Sequence, residues 1–347
     1  MPVRRADELQ EFLTHILTAA GANDRNASIV AGHLVLASLS GVDTHGIVHV
    51  SGYVNAIQEG QIQPTASPEV TKETAGSLFV RGNWTFGHVA AQFAMERVIE
   101  KAQSQEMAIA GLVELNHIGR LGHYTEMAAA HGLISLVSVG GHGTEKPAAV
   151  PFGGREPLMH TNPIAVGFPG GEDPSMAFDF ATTGVSGGKL DRYMQRGGAL
   201  PEHCIVDKDG APTTDPADIA DGFMSAFGGH KGYAIMMATE FLGPIFTGAD
   251  AFSDTDRGSV LLRHQGVSMI VFRADLFQPL AEFEERAERM RKRTQAIKPA
   301  DGHEEVRVPG DRASRTRTIR KREGIPVEDD VWESIVETAQ SVGVEVG

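Results

Sequence analysis

Cysteine is nearly absent: Cys204 stands alone in 347 residues. One thiol excludes an internal disulfide framework and a cysteine-built zinc cage, and fits a reducing compartment. Long apolar runs are missing as well, since no uncharged stretch reaches the length a bilayer helix needs. The first 20 residues mix Arg4, Arg5, Asp7, Glu8 and Glu11 with apolar positions, unlike a secretory leader. Positive charge is scarce: 31 Lys and Arg face 45 Asp and Glu, for a net charge of −14. A phosphate backbone repels such a chain unless a local basic patch overrules the total. The expectation is a soluble cytoplasmic protein with no nucleic-acid partner and no membrane partner.

Glycine is plentiful instead, at 40 of 347, about 11.5% against a usual share of about 7%. Without repeats, that excess suggests tight turns and places where backbone approaches a ligand. The balance of 41% hydrophobic to 22% charged residues is that of a globular enzyme with ample length for a core.

Leu9, Phe12, Leu13, Ile16 and Leu17 recur at helical spacing, and Gly21 offers a stop. Asn23 or Asp24 can cap a second helix carrying Val30, Ala31, Leu34 and Val35. A third helix is expected from a cap at Asp43-Thr44 to about Gln58, before Pro64 and Pro68 break the pattern. From Leu78 onward strands are expected over 107–112, 133–139, 164–168 and 176–180, with helices over 89–103 and 124–131. The stretch 232–246 is apolar nearly all round and predicts a buried helix. A basic patch follows over 286–322. The pattern implies an α/β fold whose helical cap is built from both chain termini. Residues 1–72 with 278–347 are expected to form that helical domain, and 73–277 the central α/β domain.

Three motifs mislead. Gly140-Gly141-His142-Gly143 follows a strand, yet Lys146 and Pro147 stand where a dinucleotide fingerprint needs its third glycine and a helix. Gly184-Val185-Ser186-Gly187-Gly188 satisfies G-x-S-x-G, with Asp221 and His230 downstream as the partners a serine hydrolase requires. No long apolar helix follows Ser186, however. The 14 histidines invite a metal, but there is no H-E-x-x-H, and His117 and His123 miss the i, i+4 face. No metal is expected.

Chemistry gathers at other junctions. If Thr44 caps the third helix, His45, His49 and Tyr53 share one face. His45 would then sit at the positive end of the helix dipole, which favours the neutral base. Two imidazoles and a phenol there could manage a proton on a substrate oxygen and hold an anion; a solvated polar face is the bland alternative. Further glycine–polar junctions are Asn116-His117-Ile118-Gly119-Arg120-Leu121-Gly122, His160-Thr161-Asn162-Pro163, 179–184, 228–232 and 307–311.

In these motifs and their order, the sequence resembles the malate/L-lactate dehydrogenase family of non-Rossmann NAD(P) oxidoreductases. Ureidoglycolate dehydrogenase, diketogulonate reductase, sulfolactate dehydrogenase and piperideine-carboxylate reductase belong to it. The matching segments are Thr44-His45-Gly46 with Tyr53, Asn116-His117-Ile118-Gly119, Pro151-Phe152-Gly153-Gly154 and Thr161-Asn162-Pro163. The match continues through Asp179 to Thr183, Leu200-Pro201-Glu202, Gly228 to Gly232 and Val308-Pro309-Gly310. The resemblance implies a cofactor domain with a largely antiparallel sheet, NAD or NADP as cofactor, and a homodimer with its active site near the interface.

It also implies hydride transfer at C2 of a small 2-oxo or 2-hydroxy acid, with reduction of a cyclic imine carboxylate as the variant reaction. By resemblance His45 is the proton donor or acceptor, Asp179 orients it, and His117 is its rival. Substrate contacts are expected at Thr44, His49, Tyr53, Thr161 and Asn162. Cofactor contacts are expected at Asn116, Gly119 and Gly122, at Phe178, Phe180, Ala181, Thr182, Thr183 and Gly184, at His230, Lys231 and Gly232, and at Pro309, Gly310 and Asp311. One departure bears on substrate choice: His49 stands where relatives carry an arginine that grips a carboxylate by two parallel hydrogen bonds. A non-catalytic cofactor binder is the reading from another class.

Overall fold

Both ends of the chain fold onto one helical layer. A short strand β1 (Val3–Arg4) leads into α1 (Ala6–Ala19), α2 (Asp24–Leu39) and α3 (Val50–Gln58). The middle supplies β2 (Glu69–Glu73), β3 (Ser77–Arg81), α4 (Gly87–Gln105), β4 (Met107–Val113) and α5 (Leu121–Ala129). Strands β5 (Leu133–Gly140), β6 (Ile164–Pro169) and β7 (Ser175–Phe180) follow, then α6 (Gly187–Arg196). Three short strands, β8 (Ile205–Val206), β9 (Pro212–Thr213) and β10 (Phe223–Met224), precede α7 (His230–Glu240). The chain closes with β11 (Gly266–Arg273), α8 (Leu280–Gln295), α9 (Asp311–Glu323), β12 (Ile325–Pro326) and α10 (Asp329–Ser341). The computed structural model describes residues 2–143, 148–170, 175–254, 257–259 and 262–345; Lys146 and Pro147 lie outside them.

Among the described residues the central sheet has seven strands in the order β2-β3-β4-β11-β5-β6-β7. Only β3 and β4 run parallel; every other neighbouring pair is antiparallel. The sheet is therefore largely antiparallel, as the resemblance implies. Strands β4, β5 and β11 are apolar on both faces because both are covered. On one face α4 and α5 set Ala94, Met95, Val98, Tyr124 and Ala128 against Leu112, Val137 and Met269. Truncating the fully buried Met95 to Ala costs about 2–5 kcal/mol.

On the other face a π-helical turn (Phe241–Ile245) lies directly on the sheet, with Pro244 over Gly140 and Gly266. A Cβ would come within 2.6 Å of the proline at Gly140 and within 2.5 Å at Gly266. Gly140 is thus a packing glycine.

The helical layer has its own core. Leu13, Ile16, Leu17 and Val30 from the N-terminal helices meet Ile325, Val327, Ile335 and Ala339 from the C-terminal end, and β1 pairs with β12. A third, smaller core joins α6, β8, β10 and α7 through Leu190, Ile205, Met224 and Met236.

Two local expectations need correction. The third helix does not begin at Thr44: Asp43–His45 and Ile47–His49 are separate 3-10 turns, and α3 starts only at Val50. Gly46 interrupts them with φ −96° and ψ −149°. The apolar stretch 232–246 is not one buried helix either. Helix α7 ends at Glu240, and Phe241, Ile245 and Phe246 are 57–60% exposed. Apolarity all round predicted burial, but the fold of the chain leaves part of the stretch uncovered.

Candidate active site

The turn carrying His45 is clamped from both sides. A Cβ on Gly46 would sit 2.1 Å from Ser38 Oγ, and that hydroxyl accepts the Ile47 amide at 3.1 Å. Only glycine lets the turn lie this close to the end of α2. From the other side Arg320 of α9 donates to Asp43 Oδ1 at 2.6 Å and to the Ser38 carbonyl. The N-terminal end of α6 also packs here: a Cβ on Gly188 would be 2.8 Å from Thr44.

His45, His49 and Tyr53 come together despite the broken helix. His45 and His49 have ring centroids 6.3 Å apart, and His49 stacks on Tyr53 at 5.7 Å. His117, from the loop between β4 and α5, completes the group at 5.6 Å from His45 and 5.0 Å from His49. Its Nδ1 lies 2.7 Å from the Tyr53 hydroxyl. With that hydroxyl donating, His117 is the tautomer whose Nε2–H remains a donor. Behind this half-buried row stand the buried His33 and His88. The Arg120 amide donates to His33 Nε2 at 3.0 Å, while neither nitrogen of His88 has a hydrogen-bond partner among the described residues.

These rings are neutral at neutral pH. His45 is held down at about 4, mainly by burial and then by the positive character of His49 and Arg120. Burial is also the main cause lowering His49, His117, His88 and His33. Part of the His45 and His49 surface is open, but the dense surrounding protein still withholds the hydration a cation needs. The helix dipole expected to favour neutral His45 is not the cause, because no α-helix starts there.

His49 is a brace. Its Nε2 donates to the Thr44 carbonyl at 2.8 Å, so in the neutral ring Nδ1 is an acceptor and cannot grip an anion. Arg120 is the cation whose charge bears on His45. One Nη donates to Glu126 Oε1 at 2.7 Å, and the other, Nη1, is buried with no hydrogen-bond partner among the described residues. Glu126 also receives Arg317 of α9 at 2.9 Å on both oxygens.

Several candidate residues have partners within the fold. Asp179 accepts the Gly122 amide at 2.8 Å and caps α5; the structure shows no bond from it to His45, and burial raises its pKa. Asn162 is 1% exposed and donates to Glu240 at 2.8 Å. The buried Asn116 amide donates to the Gln61, Trp84 and Thr85 carbonyls. Thr182 is tied to the Thr161 and Asn162 carbonyls, and Thr183 to the Val185 carbonyl. Asp311 closes its own turn by accepting the Val308 amide, with Gln295 and Arg291 on its carboxylate. Gly119, Gly122 and Gly232 are packing glycines, lying against His33, Arg120 and Phe227.

Phe178 and Ala181 are half-buried, Gly310 rests on Ala177, and Phe180, Gly184, His230, Lys231 and Pro309 are exposed. Of these, Gly184 lines a cavity of ≈ 840 Å³, together with Cys204, Phe227, Gly228, Gly229 and Phe152. Its lining does not include the histidine group. Ser186 sits in relaxed extended backbone (φ −80°, ψ 154°) as the N-cap of α6, and no described hydrogen bond joins it to His230. A strained nucleophile elbow is absent there.

Arg317 and Arg320 were visible in the sequence only as part of a basic patch. His33, His88 and His123 carried no signal beyond their number, since what unites them is contact across α2, α4 and α5.

A family model described as malate/L-lactate dehydrogenase matches residues 5–336. The chain belongs to this family. Hydroxycarboxylate dehydrogenase B of Escherichia coli O157:H7 is 32% identical over 346 residues, covering 98% of this chain and 94% of that protein. Malate/(S)-sulfolactate dehydrogenase of Methanothermus fervidus is 32% identical over 343 residues, covering 98% of each. Among solved structures, malate dehydrogenase from Entamoeba histolytica superposes with a TM-score of 0.91 at 25% identity over 99% of both chains. Membership in this dehydrogenase family accounts for the sheet: its members are oxidoreductases without the doubly wound parallel domain. The failed glycine fingerprint is therefore no argument against a nicotinamide cofactor.

Proposed function

We propose that the protein is an NAD(P)-dependent oxidoreductase that moves a hydride between nicotinamide and C2 of a small 2-hydroxy or 2-oxo carboxylic acid. The observation that carries this reading is the gathering of His45, His49, His117 and Tyr53 into one half-open group, with the Tyr53–His117 contact at 2.7 Å. His45 takes the hydroxyl proton in oxidation and returns it to the oxygen in reduction. His117, fixed by Tyr53, directs its Nε2–H toward the same oxygen. Arg120 holds the carboxylate through the unpartnered Nη1, the role His49 cannot fill.

The residues present fit a dinucleotide. Helix α7 begins at His230 with no side-chain cap, its N-cap Gly229 lines the cavity, and His230 and Lys231 are exposed, a setting suited to a diphosphate. Bound nicotinamide would supply the hydride donor or acceptor. We place the protein in the cytoplasm as a homodimer, for which the exposed Phe241, Ile245 and Phe246 give an apolar surface.

Titration of the purified protein with NADH and with NADPH, followed by nicotinamide fluorescence, tests the reading. Saturable binding of one of them, then turnover with a 2-oxo acid or cyclic imine panel, is the expected result. Binding of neither would sink it.

A further inference from the structure

A second cluster of donor atoms lies away from the histidine group. His142 stands just past β5, Asp250 in the 3-10 turn Ala249–Phe252, and His264 in the turn entering β11. His142 Nε2 is 3.3 Å and His264 Nδ1 is 3.0 Å from the same oxygen, Asp250 Oδ1. The two rings stack at 4.7 Å, and one donor atom from each of the three residues lies within 4.8 Å of the others. Among the described residues no other trio of His, Cys, Asp or Glu meets that spacing.

The orientation of His142 is fixed from behind. Its Nδ1 lies 3.2 Å from Glu240 Oε1, while Glu240 Oε2 is anchored by the Gly141 amide at 3.1 Å and by Asn162 at 2.8 Å. With Nδ1–H given to Glu240, Nε2 points its lone pair at a carboxylate oxygen. Two lone pairs face each other there unless a cation, either a proton or a metal ion, sits between them. A ring nitrogen backed by a carboxylate is the usual setting of a metal-bound histidine. Two imidazoles and one carboxylate are donors suited to zinc and its first-row neighbours. The rings are about one-third exposed, 34% and 33%, which leaves an approach for the ion and room for water.

We propose that His142, Asp250 and His264 bind a divalent transition-metal ion of the zinc class, with Glu240 orienting His142. The ion ties the end of β5 to the two turns that precede β11. Metal was not expected from the sequence because the three ligands come from separate segments and share no helical spacing. The site does not depend on the dehydrogenase reading and touches none of the groups assigned to hydride chemistry.

The test uses untagged, chelator-stripped protein titrated with Zn²⁺ by calorimetry, with anomalous diffraction at the zinc edge to place the ion. Expected are one equivalent located at His142, Asp250 and His264, and an affinity at least about tenfold lower in His264→Ala and in Asp250→Ala, the lower end of what even an outer-shell change costs. His45→Asn should keep that equivalent. Equal affinity in wild type and His264→Ala, or zinc found only at His45, His49 and His117, would overturn the proposal. Circular dichroism melting confirms that each variant is folded.

Discussion

The hydroxyl of Tyr53 lies 2.7 Å from Nδ1 of His117, although the two residues stand on α3 and on the loop after β4. Burial raises the phenol's pKa and lowers the imidazole's, so the neutral pair with tyrosine donating is the stable form. Tyr53→Phe removes the donor that fixes the tautomer. Loss of a buried partner costs about 1–3 kcal/mol, which corresponds to roughly a tenfold to hundredfold fall in kcat/KM if borne by the transition state. Steady-state kinetics should show that fall while the cofactor dissociation constant stays within about twofold of wild type.

The depressed pKa of His45, at about 4, sets the pH dependence of the two directions apart. Oxidation needs the neutral ring, so its kcat/KM should stay flat through neutral pH and decline only toward pH 4–5. Reduction needs the protonated ring, so its kcat/KM should fall as pH rises across the neutral range. Profiles of kcat/KM in both directions check this; a shared midpoint near 6.5 would mean that His45 is unperturbed.

Arg120→Met keeps Glu126 paired, because Arg317 still donates to both of its oxygens. KM for a 2-oxo acid should rise by roughly tenfold to a hundredfold, the scale of a charged hydrogen bond. KM for the corresponding carboxamide should hardly move. Equal effects on both would remove Arg120 from carboxylate binding.

Stability should depend on the buried histidines. His33, His45, His88, His117 and His123 all have folded pKa values below 6.5. Below about 6.5 the unfolded chain gains protons that the folded chain refuses, so stability is full above that pH and is lost as pH falls toward 4. Asp179 and His142, whose pKa values are raised, act in the opposite sense, but they are two groups against five. Thermal melts between pH 7.5 and about pH 4.5 should show Tm dropping steadily with acid.

Local pattern revealed the elements better than the site. The cap at Asn23 forms as its side chain suggests, accepting the Asn26 amide at 2.9 Å, and β4, β5, β6 and β7 fall where apolar runs placed them. The turn at His45 was misread because its conformation is set by Ser38 against Gly46 and by Arg320 against Asp43, contacts that span the chain. The resemblance, not local pattern, marked Asn116, Asn162 and Asp311 as ligand contacts, and their partners within the fold were not legible in the sequence. In the fold they satisfy buried backbone groups or cap turns. The resemblance supplied the family and the sheet class, which spacing alone did not.

The most direct test of the account is single-turnover kinetics of His45→Asn beside wild type, with the bound nicotinamide nucleotide and a responsive 2-oxo acid. The account predicts a rate roughly a hundredfold to ten-thousandfold lower, with cofactor affinity and melting temperature essentially retained. A variant that turns over at the wild-type rate would contradict it and pass the proton role to His117.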